Sequence, residues 1–185
     1  SLLKEVIKRQ AILVSKWMGI GFIHGVLNTD NTSIYGETID YGPCAFMDEY
    51  SSNQVFSSID QTGRYAYKNQ PEIIRWNLAC FASCLLPLID KDEKKAISLA
   101  QNAVDEFSSL YNSYWLKIFR NKLGLMKENE NDEKLIHNIL NLMEINKTDF
   151  TLTFRALSNL VNNNDVQFKN YFLNQNKIND WIDKW

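Results

Sequence analysis

The sequence predicts a mainly α-helical domain carrying one small β-hairpin, and three observations lead there. Apolar residues recur at helical spacing over residues 2–19 and lie on nearly every face of a helix over 73–86. Glycine and short β-prone triplets concentrate between residues 20 and 70. Beyond residue 90 the chain is a succession of helical stripes with no internal repeat. With 185 residues, 45% of them hydrophobic and 23% charged, the chain can bury a sizeable core as one domain.

Leu2, Leu3, Val6, Ile7, Leu13, Val14, Trp17 and Met18 form the first stripe, which Gly19 and Gly21 are expected to end. Residues 20–32 read as a loop. Ser33-Ile34-Tyr35 and Glu37-Thr38-Ile39 read as two tiny strands turning at Gly36, with Asp40 at the exit. Residues 41–70 lack a period and read as a long structured loop, a kind of segment that is usually functional. Pro71 suits the first turn of a helix. From Ile73 to Leu86 apolar side chains occupy nearly every face, which predicts a fully buried helix with Trp76 in the core and about 3–5 kcal/mol lost on Phe81→Ala. Asp90 and Glu93 have the spacing of a capping box. Helices are expected from there to Phe107 and from Leu110 to Leu123, then over 133–145, 149–162, 165–173 and 179–184, with a charged linker at 127–134.

Several classes of function are disfavoured. A net charge of −2 without a basic run gives no footprint for nucleic acid. The longest apolar stretch, from Leu78 to Ile89, is too short for a membrane span and is interrupted by Ser83 and Pro87. Cys44, Cys80 and Cys84 are too few and too scattered for a disulfide framework or a zinc site, and read as small buried hydrophobes. A start at Ser rather than Met, without a signal-peptide pattern, reads as a piece of a longer chain. The Asn-, Lys- and Ile-heavy composition leans towards a bacterial cytoplasmic protein, with a mitochondrial one as the alternative.

The chemistry concentrates in HGVLNTDNTSIYGETIDYGP, residues 24–43. Asp30, Asn31 and Asp40 supply the oxygen donors that hold Mg²⁺ on nucleotide phosphates. Kinases share a loop in which a His lies seven residues before a metal-binding Asn, and a second metal-binding Asp follows in a short motif. His24 and Asn31 have that spacing, and Ile39-Asp40-Tyr41-Gly42 supplies the second motif. Val26 stands where kinases keep the catalytic base, so either the domain is a dead kinase or it performs a different transfer with another base, for which Asp30, next to Asn31, could serve. His24 reads as a structural residue that holds the loop through backbone hydrogen bonds. Arg64 could meet a phosphate or a carboxylate, though a structural ion pair is the plainer reading. Tyr65 and Tyr67 read as packing residues, and His137 is assigned nothing.

The segments KWMGIGFIHGVLNTDN, SIYGETIDYGP and GRYAYKNQPEIIRWNLA together resemble the selenoprotein O family, over about the first half of the chain. The resemblance implies the larger, C-terminal lobe of a protein-kinase-like fold, with the small hairpin at the metal site. It implies a site-bearing part over 1–89 and a helical remainder over 90–185, with the small lobe outside this chain. It implies a protein adenylyltransferase: ATP as substrate, AMP passed to Ser, Thr or Tyr hydroxyls of proteins, Asp30 as the base, and Asn31 and Asp40 as ligands of Mg²⁺ or Mn²⁺. The nucleotide would be contacted mainly by the missing lobe, so residues 1–185 alone should have little activity. The family's C-terminal redox pair has no counterpart in the closing Trp181-Ile182-Asp183-Lys184-Trp185, so gating through it is not expected. A phosphoryl-transferring kinase and a non-catalytic pseudokinase module are the alternatives.

Overall fold

The computed structural model describes residues 1–161 and 166–185. Helix α1 spans Leu2–Ile20; Ser1 caps its start through the Lys4 amide, and Gly21 ends it in a left-handed conformation at φ 70°. Gly19 does not terminate the helix. A side chain there would meet the Ile118 methyl at 2.4 Å, so the glycine lets another helix approach closely.

Strand β1 (Phe22–Ile23) pairs antiparallel with β2 (Ala45–Phe46), in the register Phe22 to Phe46 and Ile23 to Ala45. This is the only sheet among the described residues, and it does not lie where the sequence predicts the hairpin. Residues 33–39 do turn at Gly36, whose φ is 75° and whose amide bonds the Ser33 carbonyl at 3.0 Å. The two three-residue arms form no ladder, because side chains of the scaffold hold them instead. Gln10 Nε2 donates to Ser33 O, Trp17 Nε1 donates to Thr38 Oγ1 at 2.9 Å, and His24 Nε2 bonds Ile39 O at 2.8 Å. Gly36 also sits so close to Arg9 that a β-carbon would lie 2.6 Å from the Arg9 β-carbon.

Helix α2 (Gln70–Cys84) carries Pro71 in its first turn and is followed by the short α3 (Leu86–Ile89). It is not buried all round. Its inner face holds Ile74, Asn77, Leu78 and Ala82, whereas Trp76 is 51% exposed and Cys84 is exposed. Periodicity fails where every face is apolar, and the packing of α1 and of the helix over Glu93–Leu123 on one side only decides the outcome. Phe81 is only partly buried, so Phe81→Ala should cost about 2 kcal/mol rather than the larger core value. Urea denaturation measures it.

Helix α4 runs unbroken over Glu93–Leu123, about 46 Å at 1.5 Å per residue. The break expected near residues 107–110 is absent, because both ends of the helix are anchored in a core. Asp92, not Asp90, caps it through Lys95 N at 3.2 Å. Asp90 instead pairs with Lys95 Nζ at 2.6 Å, which holds its carboxyl below the usual range.

The remaining helices are α5 (Asp132–Asn146), α6 (Phe150–Leu160), α7 (Val166–Lys169) and α8 (Gln175–Lys184). α7 is shorter and α8 longer than the sequence predicts. The expected boundary at residues 162–165 lies outside the described residues. In the expected linker, Asp132 is buried because Arg120 Nε bonds its Oδ2 at 2.6 Å.

Two apolar cores result. Ile7, Val14, Leu78 and Phe107 lie in the first, between α1, α2 and the first half of α4. Phe119, Ile139, Phe150 and Trp181 lie in the second, between the end of α4 and the later helices. α4 belongs to both and ties the two halves together.

Candidate functional site

The chain between β1 and β2 is a loop whose two ends the little sheet clamps. Its base is fixed from below by buried polar side chains. His24 has no exposed surface; its amide donates to Gln70 Oε1 at 2.9 Å, and its Nε2 reaches Ile39 O. A carbonyl can only accept, so Nε2 carries the proton. Gln70 also donates to Phe22 O at 2.9 Å, tying α2 to β1. His24 thus plays the structural part its sequence position suggests, joining the start of the loop to the residue before Asp40.

Residues Thr29–Asn31 form a single 3-10 turn, closed by Asn31 N on Asn28 O at 3.1 Å. Asn77 of α2 holds this turn from beneath. Its Nδ2 lies 3.1 Å from Leu27 O, 3.3 Å from Asn28 O and 2.8 Å from Thr32 Oγ1. Tyr65 OH donates to Asn28 Oδ1 from the other side. Tyr65 is placed in turn by Asp60, whose carboxylate accepts the amides of Arg64 at 2.9 Å and Tyr65 at 2.8 Å. The Arg64 guanidinium lies over the Trp76 ring at 5.1 Å and makes no ion pair among the described residues. Both the exposure of Trp76 and the fate of Arg64 therefore belong to one surface stack beside the loop.

Asp30, Asn31 and Asp40 all lie on this clamped loop. Asp30 and Asp40 are exposed, and neither carboxylate has an ion pair or hydrogen bond among the described residues. Asn31 Nδ2 donates to Val26 O at 2.9 Å, which leaves its Oδ1 without a partner. Asp40 adopts φ 55°, one of two left-handed non-glycine residues among those described. Asp and Asn tolerate that conformation better than other side chains do. The loop thus offers two carboxylates and one carboxamide oxygen free for hard-cation chemistry. No cluster of three His, Cys, Asp or Glu able to hold a metal by themselves occurs among the described residues.

Gln10, Gln70 and Asn77 were not singled out from the sequence, although each carries a readable signal. Gln10 and Asn77 are polar residues inside apolar stripes, and Gln70 precedes the helix-starting proline. Buried amides seek partners, and the amide nitrogens of Gln10 and Asn77 and the amide oxygen of Gln70 find them in the loop. Asn77→Ala should cost about 1–3 kcal/mol in urea denaturation, since it strands the acceptors of the turn.

A rigid helical scaffold with a polar loop pinned at both ends is the architecture of proteins whose function sits on loops. The chain belongs to the protein adenylyltransferase SelO family, whose family model matches residues 1–185. It is 60% identical over 157 residues to the protein nucleotidyltransferase YdiU of Geobacillus kaustophilus, covering 85% of this chain and 32% of that protein. It is 53% identical over 184 residues to the protein of the same name from Clostridium botulinum, covering 100% of this chain and 36% of the relative. For that of Agrobacterium fabrum the figures are 48% over 185 residues, 100% and 38%. The chain thus spans about a third of the length of the curated relatives it matches. These relatives are bacterial, and no helix among the described residues is long and apolar enough to cross a membrane.

Proposed function

We propose that residues 1–185 form the metal-bearing lobe, kinase-like in fold, of a protein adenylyltransferase that moves AMP from ATP to protein Ser, Thr or Tyr hydroxyls. The observation that carries the reading is the free oxygen set on the clamped loop. Asn31 turns its amide nitrogen to Val26 O and leaves its oxygen unpaired, and the carboxylates of Asp30 and Asp40 on the same loop are likewise without partners among the described residues. This donor set suits Mg²⁺ or Mn²⁺, which take oxygen ligands and are commonly held by one or two carboxylates plus substrate phosphates. Asn31 and Asp40 would hold the ion, which when bound neutralises charge on the phosphates.

Asp30 accepts the proton of the attacking hydroxyl. The hydroxyl oxygen bonds to the α-phosphorus, the bond from that phosphorus to the β-phosphate bridging oxygen breaks, and pyrophosphate departs. His24, Gln70 and Asn77 hold the loop in place during this exchange. Val26 lends only its carbonyl, to Asn31, which agrees with a base located at Asp30. We take the two halves, 1–89 and 90–185, as parts of one domain. The bacterial relatives support a cytoplasmic site of action, and a net charge of −2 favours protein over nucleic-acid substrates.

The test uses the full-length protein with ATP labelled at the α- or γ-phosphate. Label from the α-position on protein, and none from the γ-position, is the expected result. Transfer from the γ-position alone would establish a kinase, and transfer from neither a binding module. Residues 1–185 alone should transfer little or no label in the same assay.

A further inference from the structure

A cavity of about 350 Å³ opens between α4, α5 and the segments around residues 50–52 and 67–68, and no residue of the loop 24–44 lines it. Its walls are aromatic: Tyr50, Tyr67, Tyr111 and Trp115. Tyr67 donates its hydroxyl to Met18 O. Tyr50 is only 7% exposed, yet its hydroxyl makes no hydrogen bond among the described residues, and the residue lines the cavity. The Tyr111 hydroxyl is likewise unbonded among the described residues. Burial holds both phenols above their usual range, reinforced at Tyr50 by the charge of Glu144.

Glu144 stands beside them. Its Oε1 accepts Ser52 N at 3.0 Å and Ser52 Oγ at 2.7 Å, and its Oε2 has no partner among the described residues. Glu133 adds a second carboxylate. His137 is stacked on Trp115 at 5.0 Å, and its Nε2 lies 3.9 Å from Glu133. Lys68 is exposed among the lining residues, so two carboxylates face one ammonium.

We propose that this cavity binds a guanidinium group, gripped by the free oxygen of Glu144 and the Tyr50 hydroxyl and packed against the aromatic walls. A guanidinium is planar, presents a fork of N–H donors to a carboxylate and stacks on rings; the free acceptors and the rings here supply both needs. A neutral ligand would leave the Glu144 charge uncompensated. The inference is independent of the adenylyl-transfer reading.

The test is a titration of the isotope-labelled 185-residue chain with methylguanidinium, followed by amide and indole chemical shifts. Saturable shifts at Ser52, Glu144 and the Trp115 indole are expected, with a Kd of about 1 mM for so small a probe. Methylurea, the neutral counterpart, should leave these signals in place. Tyr50→Phe preserves the ring and should weaken binding by about tenfold, as should Glu144→Gln. Equal binding of methylurea, absence of saturation, or unchanged binding in both variants would overturn the assignment. An arginine-containing tripeptide that binds more tightly than free arginine identifies a protein side chain as the occupant. Equal affinities identify a small guanidinium compound.

Discussion

Replacing Asp40 with Asn in the full-length protein should lower AMP transfer by about 10³-fold while leaving thermal stability close to the parent's. The side chain is exposed and makes no contact that the fold depends on, so little structural energy is at stake. Asn is the right replacement because residue 40 sits at φ 55°, where Ala would add backbone strain and blur the result. On the proposed function the substitution removes one anionic ligand of the metal, and metal-assisted charge stabilisation contributes several kcal/mol to reactions of this kind. Asp30→Asn should cost less, about 10²-fold, because a positioned base contributes a smaller share of phosphate transfer than metal and orientation do. Transfer from α-labelled ATP, measured beside melting curves, gives both numbers. An Asp40→Asn protein that labels its substrate as fast as the parent would remove the metal site from the proposal.

Phe150→Ala should destabilise the chain by about 3–5 kcal/mol, enough to consume a large part of a domain's stability. Phe150 has no exposed surface. Its ring stacks on Tyr50 at 5.8 Å, meets Phe154 edge-on at 5.2 Å and has the Lys122 ammonium 4.9 Å from its centroid. It also fills the space over Gly21, where a β-carbon would come within 3.0 Å of the ring. Its amide bonds Asp48 O at 2.7 Å, so the same residue joins the chain leaving β2 to α6. Truncation would leave a cavity at the junction of α1, the loop segment and the second core. Leu173→Ala, at a side chain 92% exposed, should stay within about 0.5 kcal/mol of the parent and serves as the control. Urea denaturation compares the two; equal midpoints would show that the second core does not hold the chain together.

Much of the helical architecture was legible because the residues responsible act locally. The stripe from Leu3 to Met18 predicts α1, Pro71 marks the start of α2, and Gly21 marks the stop of α1. The hairpin was not legible. Ile34, Tyr35, Thr38 and Ile39 have strand propensity, but arms of three residues cannot hold each other, and Gln10, Trp17 and His24 capture them first. Ser108 and Ser109 weaken local propensity and suggest a break in α4, whereas burial at Phe107 and Phe119 keeps the helix continuous. Trp76 was misplaced because periodicity cannot say which face of a wholly apolar helix meets the core.

The candidate site divides along the same line. Asp30, Asn31 and Asp40 stand out in the sequence because oxygen donors at that spacing after His24 carry recognisable chemistry, and the family follows from those same segments. The tertiary structure alone decided what holds them: Gln70 and Asn77, whose buried amides bond β1 and the loop after it, brought against α2 from some fifty residues away. Local composition fixes which groups a chain can offer and where its helices run. Which of those groups are left free for a ligand depends on who satisfies their neighbours, and that is settled by long-range packing.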